Sequence, residues 1–281
     1  MKAAEYRERL NEYLSEFAAD AHFVGATPMR FLGRLATGHS SDVFLAERAT
    51  RLSERLVVKR LRAREDAELF ENEQRVLAAL ANSGEQGASY FTTLLPQRVA
   101  YVAQGGEISA VFREPIGFVH TLESVAIAHG FALDPRHAVW IGRRVLELLS
   151  FVHRSGFVHG AVLPAHVLIH ADEHGARLVG FSCAATAGTH VERIDPRFEP
   201  IYPEEMLSDR GVSPRDDLSM LARCLLWAMS ALPQVPNPLA EFLNELASGA
   251  GAGDAWQAQQ HLSQVARESF GAPRFVKLEV P

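Results

Sequence analysis

The chain has 281 residues, 47% of them hydrophobic and 22% charged, with a formal net charge of -6. This is ordinary globular composition, long enough for one two-lobed domain or two small ones. The negative balance excludes a generally basic nucleic-acid or anionic-membrane binder. No apolar run reaches the roughly 18 residues of a membrane span. The charged first twenty residues do not fit a secretory signal. Cys183 and Cys224 lie far apart in apolar runs without a CxxC partner. They read as buried free thiols of a reducing compartment, not as a disulfide or a sulfur-bound zinc site. A cytoplasmic protein with no membrane and no nucleic-acid partner is expected.

Residues 4–19 carry Tyr6, Leu10, Tyr13, Leu14 and Phe17 on one helical stripe, so 1–24 is set apart as an amphipathic N-terminal helix. It either packs on its own domain or docks on a partner. Phe31 to Glu47 reads as strand, polar turn and strand, with the small residues Ala36, Gly38 and Ser41 around the turn. A third apolar run, Leu56-Val57-Val58, ends in Lys59. Ala67 to Leu80 is helical by period, with Leu69, Phe70, Val76, Leu77 and Leu80 apolar, and Asn82-Ser83-Gly84 stops it. Val99–Ala103 and Ile108–Phe112 form a hairpin by pattern. A connection, Arg113 to Gly117, contains Pro115, which has no N–H to offer.

His137 to Val152 is a long helix running to Gly156. Phe157-Val158 leads to His159, a turn holding Pro164, and an apolar run Val167-Leu168-Ile169. Gly175 to Ser182 is another strand, reached through the polar turn Ala171-Asp172-Glu173-His174. Pro214 to Met229 is an almost wholly apolar helix. The remainder is helical, broken at Ser248–Gly253, and is followed from Ala272 by an irregular or extended tail.

These elements, from about residue 27 to 270, resemble in order and spacing those of a protein kinase. The implied fold is α+β and two-lobed. Residues 25–115 would form a small antiparallel β lobe with one main helix, and 116–281 a larger, mostly helical lobe. The turn at Gly38 resembles the glycine-rich loop, and Lys59 with Glu73 the lysine–glutamate ion pair. Arg113–Gly117 resembles the hinge, His159 to Ile169 the catalytic loop, and Phe181 the Phe of Asp-Phe-Gly. Pro203-Glu204 resembles the end of the activation segment. Asp217 resembles the aspartate that caps the central helix and bonds the loop backbone. The resemblance also places Val43 and Val57 on the roof of a nucleotide pocket and Leu168 on its floor. His159 and Phe181 would pack in the hydrophobic column of the fold.

The chemistry departs from that frame. The catalytic base position is Ala161, the two metal-ligand positions are His166 and Gly180, and the loop Arg is Gly160. Phosphoryl transfer needs a base and oxygen ligands for Mg²⁺, so the expectation is a degenerate, catalytically inactive pseudokinase that works through an unidentified protein partner, as a scaffold or an allosteric regulator. No catalytic residue and no metal ligand is assigned, and no cofactor. Gly38, Val43, Val57, Lys59, Glu73 and Leu168 remain as a vestigial nucleotide pocket. One alternative is a sensor that binds ATP without Mg²⁺; another is an unconventional nucleotidyl- or phosphotransferase. His153, His159, His166, His170 and His174 cluster in sequence but lack metal-ligand spacing. His166 and His170, read as sharing a strand, would stand about 13 Å apart.

Overall fold

The computed structural model describes residues 22–48, 51–104, 106–191, 193–207 and 211–280. The helix expected over 4–19 lies outside them. The described residues form two compact units, one containing those up to Phe70 together with those of Pro96–Pro115, the other those of Glu71–Leu95 and from Ile116 onward. Among the described residues no helix is long and apolar enough to cross a membrane.

In the first unit, strands β1 (His22–Val24), β2 (Thr27–Thr37), β3 (Ser41–Arg48), β4 (Arg51–Leu61), β5 (Arg98–Gln104) and β6 (Glu107–Arg113) build one sheet. Its order is β1-β2-β3-β4-β6-β5, with every pair antiparallel. The period of two sorts the side chains. Leu56 and Val58 are wholly buried, and with Val24, Met29, Ala46 and Val111 they form the core. Phe31 and Phe44 stack above it at 4.9 Å. Two features were not expected. Residues 22–24, grouped with the N-terminal helix, are strand β1. The β2–β3 register also shifts twice, between Phe31 and Gly33 and between Arg34 and Ala36. Leu32 and Leu35 are the extra residues, and both are exposed. A bulge removes one residue from the alternation, which is how a leucine ends up facing water.

Helix α1 (Ala67–Ala81) contains the boundary between the units. The second unit then carries α2 (Ala88–Leu94), β7 (His120–Thr121), α3 (Leu122–Ala128), α4 (Pro135–Arg154), β8 (Phe157–Val158), β9 (Val167–His170), β10 (Gly175–Leu178) and β11 (Ala185–Thr186). Helices α5 (Pro214–Ala228), α6 (Asn237–Ala247) and α7 (Ala255–Phe270) complete it. The short α2 and the strand pairs β7–β9 and β8–β11 were not read from the sequence. The long helix α4 starts with Asp134, whose carboxylate accepts from Arg136 N–H at 2.8 Å, and with Pro135 in its first turn. Both are standard helix-start chemistry. Asp217 was expected to cap α5, but the cap is Ser213 with Asp216. The Asp216 carboxylate accepts from Ser213 N–H at 2.6 Å, which leaves Asp217 one position on and free for another task. At the end of α6, the Ala247 carbonyl accepts from Ser219 at 2.5 Å and from Arg223 at 3.2 Å. One otherwise orphaned helix-end acceptor is thereby satisfied.

Helix α4 is the spine of this unit, packing against α5, α7 and β10. Its closest approach is at Gly142, where a Cβ would stand 3.0 Å from Leu225 Cδ1 and 3.1 Å from Leu262 Cδ2. Replacing Gly142 by Val should therefore destabilise the fold by about 1–3 kcal/mol, despite the better helix propensity of valine. Urea unfolding of the two proteins measures this. An unchanged midpoint would mean that α5 and α7 can move away at no cost.

Candidate functional site

The loop after β8 is organised by a single carboxylate. Asp217, on α5, is fully buried. It accepts from His159 N–H at 2.7 Å and from Gly160 N–H at 2.9 Å. His153 Nε2 approaches its Oδ2 at 2.8 Å from the last turn of α4. Two loop N–H groups that would otherwise be buried and unpaired are thus satisfied from an element almost sixty residues away. The expected role of Asp217 on the loop backbone is met, although it does not cap its helix.

The loop's side chains are equally constrained. His159 is wholly buried, with its ring 4.5 Å from that of Phe181, so the expected contact between these two is present. His159 Nδ1 accepts from Ala161 N–H at 3.3 Å, and Nε2 donates to the Val179 carbonyl at 3.2 Å. Those bonds require the neutral imidazole. Burial pushes its pKa down to about 4, against the opposing pull of Asp217. Gly160 has φ of +70°, and a Cβ there would lie 2.7 Å from the Cys183 carbonyl oxygen and 2.8 Å from Val191 Cγ1. No side chain fits, so an arginine at this position is incompatible with this loop.

Gly180 and His166 share one volume. Gly180 has φ of +83°, and a Cβ on it would stand 2.7 to 2.8 Å from three atoms of the His166 ring. That ring is held by His166 Nδ1, 2.8 Å from the Ala161 carbonyl oxygen. His166 was read as part of a strand with His170. It instead closes a 3-10 turn, Pro164–His166, while His170 lies on β9 with Phe118 edge-on at 5.4 Å. The turn, begun by Pro164, swings the imidazole across to Gly180. Beyond it, Asp195 and Arg197 pair at 2.7 Å. Burial pushes the Asp195 pKa up, but the Arg197 bonds and charge outweigh it and leave the carboxyl below its usual range. Tyr202 OH accepts from Asp195 N–H at 3.1 Å, and burial raises the phenol's pKa.

Of the six pocket residues, Gly38, Val43, Val57 and Lys59 belong to the first unit, Glu73 and Leu168 to the second. Val43 lies opposite Lys59 in the β3–β4 register, and Val57 is two residues before it on the same face of β4. Lys59 Nζ stands 4.9 Å above the Phe70 ring. The turn at Gly38 is tied back on itself by Gly38 N–H to the Ser41 carbonyl at 2.7 Å, and the Arg62 guanidinium donates to the Gly38 and His39 carbonyls. Glu73 is buried on α1 and Leu168 half-buried on β9.

One constellation was missed. Asn72 donates to the carbonyls of Ser182 at 2.9 Å and Ala184 at 2.8 Å, clamping the chain just after Phe181. Its acceptors are backbone atoms, so no residue pattern marks the pair. Cys183, expected buried, is only half-buried beside this clamp, while Cys224 is buried with its thiol pKa raised by burial. Mg²⁺ requires several oxygen donors around it. Gly180 has no side chain, Ala161 no donor, and His166 offers nitrogen, so this donor set does not fit the ion. Among the described residues no three His, Cys, Asp or Glu side chains converge as a metal site would need.

No protein-family model matches the sequence, and no curated protein does. Solved structures do match. The kinase domain of PF14_0431 superposes with a TM-score of 0.59 at 14% identity, over 72% of this chain and 63% of that one. Vaccinia related kinase 3 superposes with a TM-score of 0.60 at 14% identity, over 92% of this chain and 95% of that one. The chain therefore spans less than two thirds of the first neighbour and almost all of the second. It has the two-lobed α+β protein-kinase fold.

Two outcomes follow from this geometry. Gly180→Asp should cost about 2–4 kcal/mol through backbone strain and overlap with the imidazole. Adding His166→Asn should recover most of the overlap, so a double-mutant cycle by denaturant unfolding should show strong positive coupling. Additive losses would disprove the shared volume. For His159, the folded pKa lies below the ordinary 6.5, so the unfolded chain binds more protons. Stability is complete above that value and falls as pH drops toward about 4. On the order of 2 kcal/mol should disappear between pH 7 and pH 5 on this account. His137 and His174, lowered chiefly by burial, act in the same direction. His159→Phe should lower stability at pH 7 and flatten this slope, as melts at both pH values would report.

Proposed function

We propose that this chain is a catalytically inactive kinase-fold module, cytoplasmic, that acts through binding a protein partner as a scaffold or allosteric regulator. The observation that carries this reading is the imidazole of His166 seated where a side chain at position 180 would project. A missing ligand can be replaced by a neighbour when space remains beside it. Here the space is filled and the filling ring is bonded in place. Ala161, 1% exposed, supplies no base, and its carbonyl is already engaged by that ring. The only acids between His159 and Phe181 are Asp172 and Glu173, both in the exposed turn between β9 and β10. Fold alone does not confer the activity.

Phosphoryl transfer needs a base and oxygen ligands for a metal, whereas the loop's N–H groups at His159 and Gly160 are taken up by Asp217 and the His159 ring by the Val179 carbonyl. Binding of a partner asks for none of these. The packing of His159 on Phe181 and of Asp217 under the loop holds the loop in place without a nucleotide.

Thermal melts with ATP, ADP and AMP, each with Mg²⁺ or with EDTA, test the proposal. A ligand at a hundredfold excess over Kd raises stability by about 2.7 kcal/mol, which is readily seen. The expected result is no Mg²⁺-dependent shift and no phosphate transferred to protein substrates. A shift that requires Mg²⁺ overturns the proposal. A shift that survives EDTA and is lost in Lys59→Ala would replace it with a metal-independent nucleotide sensor.

A further inference from the structure

Residues 273–280 follow α7 without forming a helix or strand, yet they are anchored at four points on the second unit. The Phe275 ring stacks on His174 at 4.2 Å, and His174 stacks on Trp140 at 4.5 Å, within 3° of parallel. Trp140 is oriented from below, its indole N–H donating to His137 Nδ1 at 3.1 Å. His174 Nε2 meets the Val276 carbonyl oxygen at 2.8 Å, and His129 Nε2 meets that of Glu279 at 2.9 Å. Between them Leu278 is 2% exposed, whereas Phe275, open on its outer face, is 67% exposed. Each element contributes one group: His129 follows α3, Trp140 lies on α4, and His174 ends the β9–β10 turn.

This is how a groove reads an extended peptide. The backbone is held through its carbonyls by side-chain donors, which any sequence satisfies. Selectivity is left to one stacked aromatic and one buried leucine three places later. His174 also has φ of +51°, a conformation that costs a non-glycine residue energy and persists only where its surroundings enforce it. The strained residue is the one that both stacks on and bonds the segment.

We propose that the groove between α3, α4 and the β9–β10 turn is a peptide-binding site, occupied in cis by residues 275–279, and that its partner is a protein with an extended segment bearing an aromatic residue three places before a leucine. This deepens the reading of the chain as an interaction module by naming the partner's chemistry. The tethered segment competes at an effective concentration of order millimolar, so a free peptide of equal intrinsic affinity binds the intact groove weakly. Release of the segment is what admits the partner.

The test uses the full chain carrying Phe275→Ser and Leu278→Asp, and a fluorescein-labelled peptide with the sequence of residues 272–280, followed by anisotropy without nucleotide. The peptide should bind this variant at least tenfold more tightly than it binds the unaltered chain. A peptide with both its aromatic and its leucine changed to alanine should bind neither, and Trp140→Ala in the variant should abolish binding. A cooperatively melting variant that binds the peptide no better than the unaltered chain overturns the proposal. If the double variant does not melt cooperatively, Leu278→Ala takes its place with the same two outcomes. Sedimentation showing the unaltered chain as a dimer that dissociates in the variant also overturns it, because the segment then serves a second copy. No nucleotide enters the assay, so its failure leaves the reading of catalytic inactivity standing, and phosphotransfer would not affect this result.

Discussion

The carboxylate of Asp217 is the interaction on which the second unit depends. A buried charge with no partner costs several kcal/mol. This one accepts from two loop N–H groups and faces a histidine, so three partners share in offsetting the cost of burial. The same bonds position His159 beside Phe181 and turn the chain through Gly160. Without them the loop would need to open to water, and the apolar residues beneath it, Val158, Ala161, Val162 and Leu163, would be exposed with it.

Around that anchor, two glycines share one geometry. Gly160 and Gly180 are both in the left-handed region and both face an occupied space. The space a side chain would take is filled at each: by Cys183 and Val191 at the first, by the His166 ring at the second.

Much of this frame was legible in the sequence. The helix over Ala67–Leu80, the hairpin before Arg113 and the helix ending near Gly156 follow from period and breakers, which act locally. His159 with Phe181 and Asp217 with the loop followed from the resemblance. What failed depended on atoms far away or on half-residue details of the backbone. The bulges in β2 flip Leu32 and Leu35 with no change in composition. Pro164 turns His166 out of the strand that its apolar neighbours suggest. Asp216 and Asp217 are adjacent identical residues, and only the direction of the first helical turn decides which caps the helix. Asn72 reaches backbone carbonyls, which carry no signature, and the tail's polar anchors are two histidines, His129 and His174, far apart in the sequence.

The Asn72 clamp also bears on the order in which the chain becomes ordered. Its acceptors lie 110 and 112 residues along the chain. Closing a loop of that length costs about 4 kcal/mol in chain entropy, whereas two hydrogen bonds return only about 2 kcal/mol net. The clamp cannot nucleate anything. It closes after Phe181 and α4 have already brought its ends together, and thermal fluctuation opens it before the packing beneath gives way. The stretch from Ser182 to Ala184 is therefore a late-setting, early-melting seam, and the half-buried thiol of Cys183 within it is a natural reporter of that opening.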